Sequence, residues 1–428
     1  MHTLEQLRRG ELTGIRRLDL AADLTEIPRE IFDLADSLEV LNLSGNRLSR
    51  LPDDLPRLHK LKVIFCSENP FSELPAVLGE CPQLEMVGFK ACRIERVAGA
   101  ALPARLRWLI LTDNRIAQLP DALGQRPRLQ KLMLSGNQLS DLPDSLAEAT
   151  NLELLRLAAN RFEALPDWIG EMPRLSWLAF SGNPSSPFPA APDTRVYSRQ
   201  EVRLGELLGQ GASGLIHAGQ LQDGSLVAAK FFKGEVTSDG LPQSEMAACL
   251  AAGEHPNLIA VRGILHTEQS PLPALLMERL PTRYRTLAGP PSLQSCTRDC
   301  YPADWTIGTR QALRIAQSTA SAVAHLHARG ILHGDLYGHN LLVDSEGHTL
   351  LSDFGGATFV DPNSIQGRRL MRLESRAFGC LLEELLDHCA LDDHPDLLAQ
   401  LRNLQHRCLQ ATVDLRPDFT AILEALQR

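Results

Sequence analysis

The sequence predicts an α/β solenoid followed by an α+β domain, and three observations lead there. Residues 15 to 183 repeat themselves every 22 or 23 positions. A stretch dense in proline and small polar residues follows at 184–199. Beyond it the period is lost, and short apolar runs of strand character flank loops rich in glycine or acids.

Totals set the frame. A chain of 428 residues has room for about two or three domains, each with its own core. Apolar content of 44% and charged content of 22% are ordinary for a globular protein. A net charge of −9 argues against a general nucleic-acid binder or a membrane-surface protein. The nine cysteines are scattered, and the closest pair, Cys296 and Cys300, reads as two free thiols rather than half a zinc site. A reducing compartment is expected. Residues 1–14 lack the apolar core of a signal peptide, and no uncharged run approaches the ~20 residues of a membrane helix. Cytoplasmic localisation is the expectation.

In the first half, Ile15, Leu38, Leu61, Leu84, Leu106, Leu129, Leu152 and Leu175 mark the period. Asn46, Asn69, Asn114, Asn137, Asn160 and Asn183 follow eight places after most of them, with Cys92 in one such slot. A Leu-Pro pair such as Leu51-Pro52 or Leu142-Pro143 closes many units. The pattern is that of leucine-rich repeats, seven to eight units spanning 1–183. Alternation sends Leu41 and Leu43 inward on a short strand. An asparagine has donors and an acceptor enough to bridge backbone groups of adjacent turns. No unit can bury its leucines alone, but a stack can. The alternate positions, Val40, Phe65, Met86, Trp108, Ile110, Met133 and Trp177, are expected on the concave face with Lys62, Lys90, Lys131 and Arg156. Aromatic and cationic side chains on such a surface point to a protein partner.

The second half centres on Ile331 to Gly355. Two apolar runs, 341–343 and 349–351, read as a β-hairpin joined by the turn 344–347. Asp335 and Asn340 lie before it and Asp353 after it. One acid there can accept a proton, while the other acid and the amide can hold Mg²⁺ through hard oxygens. Upstream, a strand at 202–208 runs into Gly209-Gln210-Gly211-Ala212-Ser213-Gly214, and further strands at 215–218 and 225–232 follow. A dinucleotide fingerprint would open a helix at that point, so strand-loop-strand reads instead as a lid over phosphates. Residues 200–428 contain only two lysines, Lys230 and Lys233, and Lys230 follows Val227-Ala228-Ala229 within the last of these strands. A compact ammonium is what phosphate oxygens call for.

At these residues the chain resembles the protein kinase family, over nearly all of 202–428. The resemblance implies a two-lobed α+β domain, with lobes at 200–280 and 281–428. It implies Asp335 as catalytic base, Asn340 and Asp353 as magnesium ligands, and Lys230 on the α/β-phosphates, held by an acid of the next helix. Glu235, Glu245 and Glu254 compete for that place, and Glu245 leads a helix-like run at 244–252. ATP would be enclosed by Leu208, Gly209, Gly211, Gly214, Ile216, Ala228, Lys230 and Met277, with the backbone of Glu278 and Leu280 meeting the adenine. Residues 281–305 look like an inserted loop, and 310–329 like a helix. His333 reads as a packed structural histidine.

The chain also departs from the family pattern. Gly334 stands where an arginine usually precedes the catalytic aspartate, so a phosphate on the following segment would find no local cation. Tyr337 replaces a lysine, and no Ala-Pro-Glu follows in the short reach to Glu374. Glu374 lies near the slot of an acid that braces the catalytic loop, while Arg416 normally pairs with the glutamate of the missing motif. The preferred expectation is an ATP- and Mg²⁺-dependent protein kinase, Ser/Thr in type, whose repeats recruit substrate or regulator. A kinase-fold phosphotransferase acting on a small molecule, or a pseudokinase scaffold, is the alternative.

Overall fold

The computed structural model describes residues 2–186, 193–211, 213–233, 236–237, 239–266, 272–390 and 394–427. They form two compact units: Met1–Met172 with Asn183–Ser185, and Pro173–Gly182 with Ser186–Arg428. This division differs from a cut at residue 184. Residues 187–192 of the expected linker, together with Ala212 and Glu235, lie outside the described residues.

The first unit starts with the short helix α1 (Leu4–Arg8), closed by a capping box between Thr3 and Gln6. Seven three-residue strands follow: β1 (Arg17–Asp19), β2 (Val40–Asn42), β3 (Val63–Phe65), β4 (Met86–Gly88), β5 (Trp108–Ile110), β6 (Lys131–Met133) and β7 (Leu154–Arg156). Each pairs in parallel with the next. Their central residues, Leu18, Leu41, Ile64, Val87, Leu109, Leu132 and Leu155, form one buried row. The return segments hold single 3-10 turns, several of them entered directly after a proline, as at Pro75, Pro143 and Pro166. Proline fixes φ and donates no N–H, so it suits such an entry.

The asparagines bridge backbone as their chemistry requires. Asn46 Oδ1 accepts from Ala22 and Leu24 N–H, while its Nδ2 donates to Leu20 and Leu43 carbonyls, all at 2.9–3.0 Å. Asn69, Asn114, Asn137 and Asn160 repeat the arrangement. In the Cys92 slot, the thiol donates to the Cys66 carbonyl at 3.5 Å. A donor role survives there, though a thiol is a weak one. The expected exposed face is mixed. Trp108 is half-buried with the Lys131 ammonium 4.2 Å from its ring centroid, and Met86, Met133 and Arg156 are buried.

The second unit begins with Pro173–Gly182, which carries β8 (Trp177–Ala179). Its upper lobe is a six-stranded sheet of β9 (Val196–Tyr197), β10 (Val202–Gln210), β11 (Gly214–Leu221), β12 (Leu226–Phe232), β13 (Val261–Leu265) and β14 (Ala274–Glu278). Their order is β10-β11-β12-β14-β13-β9. The end of the expected linker is thus a strand, since Val196 and Tyr197 pair in parallel with Ile264 and Leu265. Tyr197, Val202, Val227, Ala229, Leu265 and Leu276 pack into the lobe's core. Helix α2 (Pro242–Ala252) lies between β12 and β13 in the chain.

The lower lobe contains α3 (Thr309–His327), α4 (Ile365–Asp387), α5 (Pro395–Cys408) and α6 (Phe419–Gln427). Apolar residues of α3 recur at helical spacing, with Ala312, Ile315, Ala316, Val323 and Leu326 buried. β15 (Arg285–Thr286), β17 (Leu341–Val343) and β18 (Thr349–Leu351) make a small sheet, and β16 (Ile331–Leu332) pairs with β19 (Thr358–Phe359). The expected hairpin is therefore β17–β18. Asn257 fastens the lobes to each other, donating Nδ2 to the Thr349 carbonyl at 3.0 Å and accepting from Leu351 N–H at 2.9 Å.

Candidate active site

A cavity of about 310 Å³ opens between the lobes. That volume suits a small ligand. Of the residues singled out in the sequence, Gly211, Gly214, Ile216, Lys230, Glu245, Met277, Asn340 and Asp353 line it. Leu208, Gly209, Ala228, Glu278 and Leu280 are absent from its walls. Leu208 is 41% exposed, and Ala228 pairs with Met277 inside the sheet. Asp335 is also off the wall, but Asn340 Nδ2 donates to its Oδ2 at 2.7 Å and to its carbonyl at 2.8 Å.

Each group is placed by its element. Lys230 points inward from β12, where its neighbours along the strand are Ala228, Ala229 and Phe231. Glu245 sits in the first turn of α2, and the two side chains form a buried ion pair. Burial works against the Lys230 ammonium, yet Glu245 and then Asp353 outweigh it and hold its pKa above the ordinary lysine value. The ammonium is therefore kept charged. At Gly214 an added Cβ would come within 2.5 Å of the Phe231 carbonyl oxygen, so glycine is what lets the loop lie against β12.

The lower wall comes from the turn Gly338–Asn340 and from Asp353. Asp353 has φ +56, a left-handed backbone that asparagine and aspartate tolerate best among side-chain-bearing residues. Its Oδ1 accepts from Gly355 N–H at 3.1 Å, which fixes the carboxylate in the cavity wall. His333 packs as expected of a structural residue. Its Nε2 lies 3.0 Å from the Ser352 carbonyl, its Nδ1 accepts from Asp335 N–H at 3.3 Å, and its ring meets Phe354.

Glu374 from α4 accepts from Gly334 N–H and lies 2.7 Å from His327 Nε2. It braces the loop. Arg416 is buried and donates to the carbonyls of Gln410 and Pro173 at 2.8 Å, so backbone oxygens occupy it.

Sequence reasoning missed several residues here. His339 lines the cavity, and Asp299 grips it through both Nδ1, at 2.7 Å, and the backbone N–H, at 2.9 Å. The supposed insertion 281–305 thus anchors the loop, and Arg298 ties it to Glu383 and Glu384 of α4 at 2.7 Å each. No spacing in the chain signals these pairs, because their partners lie 40 and more than 80 residues away. Trp177, expected on an open face, is 1% exposed and stacks on Tyr337.

Residues 202–373 match the family model for the protein kinase domain, and 37–58, 104–162 and 127–184 match those for leucine-rich repeats. The chain is similar to a PTI1-like tyrosine-protein kinase of Arabidopsis thaliana, 31% identical over 174 residues, covering 38% of this chain and 45% of the relative. It is similar to the wall-associated receptor kinase-like 21 of the same plant, 30% identical over 187 residues, covering 41% and 27%. A probable leucine-rich repeat receptor-like protein kinase from Arabidopsis thaliana is 29% identical over 201 residues, covering 42% and 28%. The chain spans less than half the length of each of these relatives. Among the described residues no helix is long and apolar enough to cross a membrane.

Proposed function

Since the chain carries leucine-rich repeats followed by a protein kinase domain, we propose that it is an ATP- and Mg²⁺-dependent protein kinase passing the γ-phosphoryl group to a Ser or Thr hydroxyl. One observation carries this reading. A charged ammonium from one lobe and an amide and a carboxylate from the other line a single cavity, with a further carboxylate one hydrogen bond away.

Lys230, held by Glu245, would orient the α/β-phosphates, and Asp335 would take the proton of the acceptor hydroxyl. The glycines Gly209, Gly211 and Gly214 would cover the phosphates, while Leu208, Ile216, Ala228 and Met277 would enclose the base and the backbone of Glu278 and Leu280 would meet it. Asn340 has its nitrogen turned to Asp335, so its oxygen remains to act with Asp353 on a cation. Among the described residues no three His, Cys, Asp or Glu side chains gather as a metal cage. One carboxylate and one amide oxygen fit Mg²⁺, which keeps water and phosphate for the rest of its shell. When bound, the metal would neutralise charge on the phosphate oxygens.

The repeats, at 1–183, would recruit a protein through their strand face, with 184–199 as the connection and 200–428 as the catalytic part. Nine cysteines held as thiols rather than as disulfides support a cytoplasmic setting. The test is a thermal shift with Mg-ATP, repeated on Lys230→Ala and Asp353→Ala. Nucleotide at ~100 times its Kd adds roughly 2.7 kcal/mol. A shift in the wild type that both variants lose supports the reading, and none at millimolar ATP favours a nucleotide-free scaffold. Phosphate transfer to protein must also vanish in Asp335→Asn. A small-molecule acceptor is the second reading, favoured by Gly334, Tyr337 and the short reach to Glu374; label appearing only in a small product would select it.

A further inference from the structure

Leu336 and Tyr337, the two residues after Asp335, are both gripped by one side chain from far back in the chain. Trp177 Nε1 donates to the Leu336 carbonyl at 2.9 Å. Its indole lies flat on the Tyr337 ring, with centroids 4.3 Å apart and planes 7° from parallel. The contact is one of a series made by the same segment. Phe180 N–H donates to Thr358 Oγ1 at 3.1 Å, and Ser186 Oγ donates to the Phe359 carbonyl at 3.0 Å. Arg376 and Arg416 give N–H groups to the carbonyls of Arg174 and Pro173.

Gly334 belongs to this arrangement. Its φ is +72, and a Cβ there would stand 2.7 Å from the Leu178 carbonyl oxygen and 2.3 Å from that of Gly356. The space a side chain would need is filled by backbone, partly that of β8. The arginine missing from this position and the tyrosine in place of lysine therefore have one common explanation. A strand lies where a phosphate-reading cation would otherwise project, and an aromatic ring is the surface that strand's tryptophan stacks upon.

We propose that Trp177 is a positioning residue for phosphoryl transfer: by holding Leu336 and Tyr337 it fixes the backbone that carries Asp335, so the loop is set without phosphorylation of the segment that follows Gly355. The proposal rests on the reading of Asp335 as base. A loop fixed in this way is worth most to the step that needs alignment, and misplacement near 1 Å costs about 100-fold in rate. Nucleotide binding draws on groups of other elements, Lys230 of β12 and Glu245 of α2, and should not feel the change.

The experiment uses the full chain as wild type, Trp177→Leu, Trp177→Phe and Asp335→Asn. Three quantities are read: kcat, KM for ATP, and hydrogen exchange of amides 334–338, with the amides of β17 and β18 as an internal reference. In Trp177→Leu, kcat falls about 10- to 100-fold, KM for ATP stays put, and exchange of 334–338 quickens while the reference holds. Trp177→Phe, which keeps a stacking ring and loses the N–H, recovers most of the rate. Wild-type kcat and wild-type exchange in Trp177→Leu overturn the proposal. If that variant does not fold, Trp177→Phe decides, because unchanged exchange at Leu336 and Tyr337 after loss of the N–H contradicts the grip. A wild type without turnover sinks the kinase reading alone, and the exchange comparison still settles whether Trp177 orders the loop.

Discussion

Glu374 spans two loop anchors at once: one carboxylate oxygen takes the Gly334 N–H and the other lies 2.7 Å from His327 Nε2. Both partners are buried, so neither can turn to water. Replacing Glu374 with alanine removes the acceptor these two donors share, and a buried donor that loses its acceptor costs about 1–3 kcal/mol. Chemical denaturation should show a loss of about 2–5 kcal/mol, with Glu374→Gln retaining part of it. A Glu374→Ala protein as stable as the wild type would remove the brace from the account.

Lys230 and Glu245 should fail asymmetrically. Lys230→Met leaves a carboxylate in a buried place, and breaking such a pair costs about 3–5 kcal/mol. The double change Lys230→Met with Glu245→Leu should regain much of that stability, as apolar replacement of a buried pair often does. Turnover should stay lost in both. Paired melting curves and a phosphate-transfer assay check the two halves of the prediction.

His339 gives a pH signature. Burial pushes its pKa down, but the hydrogen bond to Asp299 and the surrounding carboxylates reverse this and leave it above the ordinary value of 6.5. The folded state then binds the proton more tightly than the unfolded state. Stability from the His339–Asp299 pair is fully present below pH 6.5 and is lost as pH rises through the folded-state pKa. The melting temperature of the wild type, followed upward from pH 6, should drop relative to that of His339→Gln over this window. Parallel curves for the two proteins would contradict it.

The asparagine ladder offers a matched pair of changes. Asn137 receives Ile116 N–H at 3.0 Å and donates to the carbonyls of Leu111 and Leu134 at 2.9 Å. Asn137→Ala strips the Ile116 N–H of its acceptor, while the carbonyls of Leu111 and Leu134 keep Asn114 and Asn160 as donors, so a loss of about 1–3 kcal/mol is expected in urea unfolding. Cys92→Asn runs the other way, since the thiol supplies only long contacts to Cys66 and Lys90 carbonyls. A gain of roughly 1 kcal/mol is expected.

Much of this was legible in the chain because its signals are local or periodic. Asn46 and its counterparts recur at fixed spacing, and the strand Val227–Lys230 and the loop around Asp335 each carry their chemistry within a few residues. Glu245 could be picked over Glu254 because it opens a helix. Trp177 was misplaced for the opposite reason. The alternation that puts Leu178 and its neighbours on opposite faces says nothing about what covers either face, and Tyr337 lies 160 residues on. Asp299 was hidden in the same way, inside a stretch whose composition reads as loop while its side chain is fully buried against His339.

The carbonyl of Pro173 and the indole of Trp177 lie upstream of the proline-rich stretch, yet both serve the lower lobe. A kinase domain produced from residue 193 onward would therefore lack both groups, with Arg416 short of the Pro173 acceptor and Tyr337 without the indole it stacks on. Swapping the front half for an unrelated solenoid would do the same damage. The two halves of this gene product are not interchangeable cassettes, because the seam between them in the alphabet of residues falls later than the seam in space.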